Sequence, residues 1–317
     1  MEGFRLPLSD LKEIINMNRK KLKVEGIIPA LVTPMNDDES INESGLRTII
    51  DHVIKGGVHG IFVCGSQGES FSLTNEEKKR VIATSIEASA GRVPIYAGTG
   101  TITTAQSVQL TKMARELGAD AVSVTTPYFI KPSPKELVDH YKAISEAAED
   151  MPIILYSNPT RTGVIIDVDT VVKLAELDNV VGMKDSSADI VQTTAYIEAT
   201  KGMDFSILVG NDACIFVALI SGGKGAVAAT SNAAPALVVG IYNAVKSGDI
   251  DKARELQFEL LPIRRAFTMG TFPVVIKEAL NLMGLPAGPA RRPIQGLPPD
   301  KKEELRKVLA NAGLLKG

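Results

Sequence analysis

Cysteine is almost absent from this 317-residue chain, which carries only Cys64 and Cys214. Two distant thiols supply neither a metal-ligand spacing nor the density of a secreted disulfide scaffold, and a reducing cytoplasm suits them best. Histidine is as scarce, with only His52, His59 and His140. His52 and His140 fall in helical patterns and His59 precedes a candidate strand, so each reads as a satisfied structural histidine rather than part of a metal centre. Long basic runs are missing, and the formal net charge is −2, which removes the electrostatic footprint of a nucleic-acid binder. Small molecules are the expected partners. Charged residues interrupt every apolar group of "MEGFRLPLSDLKEIINMNRKKLKVE", so this N-terminal stretch is neither a secretory signal nor a membrane span. Leu8, Leu11, Ile14 and Ile15 stand at roughly helical spacing, which predicts a short appended helix over residues 1–24. Low-complexity segments and solenoid-length repeats are absent too.

What is present is one repeated grammar: a short β-branched apolar run, a polar or glycine-bearing break, then an amphipathic stretch. Candidate strands are "GIIPALVT" (26–33), "GIFVCG" (60–65), "VPIYAGTG" (93–100), "AVSVTT" (121–126), "PIILYS" (152–157), "VVGMKD" (180–185), "SILVG" (206–210) and "GAVAATS" (225–231). Helical patterns lie between them, as in 75–90, 104–119 and 133–149. Several open with capping chemistry: Thr74 three residues before Glu77, Ser133 three before Glu136, and Asp212 ahead of a helical run. Eight β-then-α units predict a closed (β/α)8 TIM barrel over residues 25–247. An open doubly wound sheet is the alternative, but "TPMNDDES" after the first strand offers no nucleotide-binding glycine loop, and "GTGTIT" lacks the third glycine of a dinucleotide fingerprint. Residues 248–317 hold three further helical patterns without strands, a C-terminal helical appendage.

Active sites of such barrels gather at the C-terminal ends of the strands, and Lys184 ends the sixth. A free lysine of pKa about 10.4 is neutral at pH 7 only about once in ~2500 molecules, so it becomes a nucleophile only where its surroundings disfavour charge. A neutral amine there attacks a ketone to form an imine, an electron sink for carbon chemistry. The bland alternative is a buried lysine paired with adjacent Asp185. Other strand ends weigh against it. "YSNPTRTG" puts Tyr156 at the tip of strand five, where a phenol can shuttle protons, and "GSQGES" puts the N–H groups of Ser66 and Gln67 where they can hold a carboxylate. Amine, phenol and anion cradle together suit a 2-oxo acid.

At these residues the sequence resembles the dihydrodipicolinate synthase/N-acetylneuraminate lyase family of pyruvate-dependent aldolases. The resemblance runs from Gly26 to the C-terminus through "PALVTP", "GSQGES", "AGTG", "TPYF", "LYSNPTRTG", "GMKDSS" and "VIKEALNLMGLP". It implies a homotetramer built from tight dimers and chemistry without metal or cofactor. It further implies Lys184 as the Schiff-base lysine and Tyr156 as the proton relay. Gly65, Ser66 and Gln67 then bind the pyruvate carboxylate, with Ser66 among the catalytic groups, and Val227 turns a backbone carbonyl toward the site. Arg161 matches the arginine that receives the carboxylate of aspartate semialdehyde in the synthases.

The chain departs from the synthases elsewhere. Ser66 and Gln67 replace two threonines, and Phe129 replaces a tyrosine whose hydroxyl crosses a dimer interface. Asn75, Lys78, Ile102 and Gln106 stand where lysine-inhibited synthases place their effector-binding residues, so feedback by lysine is not expected. "GNDA" (210–213) lacks one acidic residue of the sialic acid lyases, whereas "GMKDSS" looks more like members acting on 2-keto-3-deoxy sugar acids, with Asp185, Ser186, Asn211 and Asp212 positioned to meet hydroxyls. The leading expectation is therefore a class I aldolase that cleaves a 2-keto-3-deoxy acid to pyruvate and an aldehyde. Dehydration through the same imine is a variant of it. The alternatives are condensation of pyruvate with aspartate semialdehyde, a metal-dependent aldolase that the histidine inventory disfavours, and a silent sugar-acid sensor that would have no need of Lys184 or Tyr156.

Overall fold

The computed structural model describes residues 22–315, so nearly all of the expected N-terminal helix lies outside the described residues. Eight parallel strands carry the architecture: β1 (Gly26–Pro29), β2 (Ile61–Val63), β3 (Ile95–Gly98), β4 (Ala121–Thr125), β5 (Ile153–Ser157), β6 (Val180–Asp185), β7 (Ser206–Val209) and β8 (Gly225–Ala228). Each pairs with its sequence neighbours, β8 returns to β1, and the bridge Ala30 to Phe62 joins β1 to β2. The result is the expected (β/α)8 TIM barrel.

Helices follow the strands: α1 (Glu43–Lys55), α2 (Asn75–Ser89), α3 (Thr104–Leu117), α4 (Pro134–Ala148), α5 (Val168–Ala175), α6 (Ile190–Ala199), α7 (Ile215–Ile220) and α8 (Pro235–Lys246). Reciprocal capping boxes start two of them, Thr74 with Glu77 on α2 and Ser133 with Glu136 on α4, satisfying N–H groups that a helix start otherwise leaves unpaired. After the barrel come α9 (Ile250–Arg265), α10 (Val274–Leu282) and α11 (Pro299–Asn311). Val274, Val275, Ala279, Leu305 and Leu309 give these last helices an apolar core of their own.

The period of two along a strand sorts side chains into two layers. Leu155, Met183 and Val209 face outward into the core beneath the helices. Ile154, Tyr156, Leu208, Val227, Phe62 and Ile28 face inward and fill the barrel. Several strands are shorter than their apolar runs, β1 most clearly, because at the barrel mouth, past Leu31, the chain turns from the neighbouring strands to loop groups. There Val32 N–H donates to the Asn232 side chain and the Thr33 hydroxyl to the Gly68 carbonyl, in place of ladder partners. The freed chain ends form the rim of the site.

Candidate active site

Strand register brings the two central residues together: Tyr156 of β5 lies opposite Lys184 of β6, so both side chains enter the barrel from adjacent strands. Lys184 is only 4% exposed. Its Nζ lies 4.0 Å from the centre of the Tyr156 ring and 5.0 Å from that of Phe62. Among the described residues no carboxylate pairs with it. The expected alternative of a Lys184–Asp185 pair fails on the same period of two: Asp185 points outward, where its carboxylate accepts from the Ser187 N–H and hydroxyl and from the Thr193 hydroxyl at 2.6–3.0 Å. Asp185 is therefore a structural residue and meets no substrate hydroxyl.

Tyr156 is buried, and its hydroxyl accepts from the Asn158 amide at 2.8 Å. Burial pushes its phenol up, but the neighbouring Lys184 charge, with hydrogen bonds from Ser66, Asn158 and Lys184, outweighs it and holds the phenol below its ordinary value. A phenol that gives up its proton more readily, touching both the amine and Ser66, is placed to carry protons between lysine and substrate.

The loop after β2 forms the floor. Among the described residues neither the Ser66 nor the Gln67 N–H donates to a protein acceptor, leaving two donors for an anion. Gly65 itself does not reach the cavity: a Cβ there would strike the Phe62 ring, so its contribution is close packing. The Gln67 side chain turns away to donate to the Pro273 carbonyl at 3.4 Å. Glu69 holds the loop in shape from a left-handed backbone with φ of 57°. Its carboxylate is fully buried, bonded to Lys277 of α10 at 2.5 Å and to the Arg291 N–H at 2.9 Å. The appendage thus clamps the cradle.

These groups open into a cavity of about 380 Å³, also lined by Arg161, Ser186, Asn211, Asp212 and Val227. Asp212 does not cap its own helical turn. Instead its carboxylate crosses to the turn after β8 and accepts from Ala229 N–H at 3.3 Å and Thr230 N–H at 2.6 Å. Asn211 does the local capping, through Ala213 N–H. Both are thus engaged by the fold, and of the four groups expected to meet sugar hydroxyls only Ser186 lines the cavity without such a bond. Phe129 also stands apart from this arrangement: 90% exposed with φ of 77°, it does not line the cavity of its own chain.

Sequence reasoning missed Asn158, although it stands two residues after Tyr156, and Phe62, which the alternation along β2 places inward. It also missed Arg264, Phe267, Thr268 and Phe272, which line the cavity from the appendage. Nothing in their spacing signals a return to the barrel mouth. The histidines stand in structural positions, though two are only partly satisfied: His59 Nδ1 accepts from Ile27 N–H at 3.1 Å and His140 Nδ1 meets the Thr104 hydroxyl at 2.9 Å, whereas the buried Nε2 atoms of His52 and His140 have no hydrogen-bond partner among the described residues. No three His, Cys, Asp or Glu side chains converge as a metal-ligand group among the described residues. No helix there is long and apolar enough to cross a membrane.

Comparison with known proteins adds four matches. Residues 23–312 match the model of the dihydrodipicolinate synthetase family. The 4-hydroxy-tetrahydrodipicolinate synthase of Methanoculleus marisnigri is 42% identical over 291 residues, spanning 91% of this chain and 99% of that one. Among solved structures, dihydrodipicolinate synthase from Aquifex aeolicus superposes with a TM-score of 0.89 at 34% identity, covering 93% of this chain and 100% of that one. YagE of E. coli K12, described as a prophage protein of the dihydrodipicolinic acid synthase family in complex with pyruvate, gives 0.89 at 32% identity, with coverage of 92% and 100%.

Proposed function

This chain belongs to the dihydrodipicolinate synthetase family and is a pyruvate-dependent lyase, and from that premise we propose that it condenses pyruvate with aspartate semialdehyde through an imine on Lys184. Lys184 attacks the pyruvate ketone with loss of water, while the carboxylate rests on the N–H groups of Ser66 and Gln67. Proton loss from the methyl group gives the enamine, whose carbon attacks the aldehyde. Tyr156 supplies the proton that the new alkoxide takes up. The semialdehyde's own amine then displaces Lys184 from the imine carbon and closes the ring.

The observation that carries this choice of aldehyde is charge. Arg161 faces the cavity, and Asp212, the one acidic side chain lining it among the described residues, already accepts two backbone N–H groups. A cavity so balanced favours an acceptor that brings a second carboxylate over one that brings neutral hydroxyls. The names of the curated relatives support the same reading. Cleavage of a 2-keto-3-deoxy acid would use the same imine and retains one supporting feature, the Phe129 ring, which cannot relay a proton as the synthases' tyrosine does.

A homotetramer of tight dimers belongs to the proposal as well, supported by the exposed apolar tip of Phe129 and Ile130 on a backbone turn that a bulky residue rarely adopts. The deciding experiment compares kcat/KM for condensation of pyruvate with aspartate semialdehyde against cleavage of a panel of 2-keto-3-deoxy acids. The proposal expects condensation to exceed cleavage by about a hundredfold or more, the selectivity that an unmatched buried charge imposes. Preference for a keto-deoxy acid would overturn it.

A further inference from the structure

The appendage places a second guanidinium in the active-site cavity. Arg264, half-buried in the last turn of α9, lines the same space as Lys184 and Arg161. Its Cζ lies 4.8 Å from the centre of the Phe267 ring, and Arg161 is carried in the same way by Phe272 at 4.7 Å. A guanidinium lying over an aromatic face keeps its N–H edge available for a carboxylate, and the ring limits the orientations it samples. Among the described residues neither arginine is paired with a carboxylate. Favourable placement at a helix C-terminus explains a cation at position 264, yet it does not require that the cation face the cavity or rest on a ring that also lines it.

We propose that Arg264 joins Arg161 in a subsite for the second carboxylate of the bound substrate, distal to the carboxylate held by the loop after β2. This rests on the reading of the acceptor as an aldehyde that carries its own carboxylate, and it makes Arg264 a specificity determinant that the appendage contributes to the barrel. The pyruvate end of the cavity does not use it.

The test uses the full-length protein, as wild type, Arg264→Gln and Arg264→Lys, with imine formation at Lys184 trapped by borohydride and read by intact mass. Two probes are compared: pyruvate, and 2-oxoadipate, a 2-oxo acid with a distal carboxylate. Arg264→Gln is expected to raise the half-saturating concentration of 2-oxoadipate about tenfold or more, the usual weight of a charge-assisted hydrogen bond, with that of pyruvate unchanged. Arg264→Lys, which keeps the charge but not the fork, should recover part of the loss. An equal shift for both probes, no shift for either, or a wild type that traps pyruvate but not 2-oxoadipate would overturn the subsite. Because trapping needs no aldehyde, failure to condense aspartate semialdehyde would refute the proposed function while a selective 2-oxoadipate effect still upheld the subsite.

Discussion

Lys184 differs from the other strand-borne residues in what surrounds its amine: two aromatic rings and no carboxylate among the described residues. Its position at a strand end was legible in the sequence, as was that of Tyr156, because inward and outward residues alternate and adjacent parallel strands run in register. Arg264 and Phe267 were not legible, since their place depends on how the appendage folds back, a long-range event that no local spacing records. Asp185 misleads for the opposite reason: adjacency in sequence suggests a pair, whereas on a strand it guarantees opposite faces. Replacing Tyr156 by Phe should lower kcat by about 10²–10⁴, the usual worth of a positioned proton carrier, while pyruvate is still trapped on Lys184. Steady-state kinetics beside adduct mass would show the split, and an unchanged kcat would remove Tyr156 from the reaction.

Three contacts between elements set the tolerance of the fold. The capping boxes of α2 and α4 were readable as Thr74–Glu77 and Ser133–Glu136, but the further use of Glu77 was not: it also receives both terminal nitrogens of Arg291, from beyond α10. Beside it, Lys277 and Glu69 form a pair at 1% and 0% exposure. Lys277→Met leaves the Glu69 carboxylate buried without its cation, and chemical denaturation should show a loss of about 3–5 kcal/mol. A loss below about 1 kcal/mol would mean that the appendage does not clamp the loop. His140 of α4 meets Thr104 of α3, and burial pushes its imidazole down to about 4. An unfolded histidine takes its proton near pH 6.5, so between about 6.5 and about 4 acid favours the unfolded chain. Stability should be fully retained above that window and decline through it, and His140→Gln should flatten that limb in melting curves taken against pH.

At the scale of the whole molecule, eight repeats of one β-then-α grammar made the barrel readable, since closure follows from the count and from the burial of both strand faces. What a single chain's sequence could not convey is the fate of Phe129. Its apolar tip stands in solvent in one chain, and the proposed tetramer would cover it. Phe129→Asp should therefore lower the mass seen by light scattering toward that of a smaller assembly, and an unchanged mass would place the interface elsewhere. The central claim concerns every chain equally: one imine per chain, on one lysine. Incubation with pyruvate and borohydride followed by intact mass and peptide mapping tests it most directly. The account predicts a single reduced pyruvate adduct per chain, on Lys184, absent from a folded Lys184→Ala variant. An adduct on another lysine, or none in the folded wild type, would contradict it.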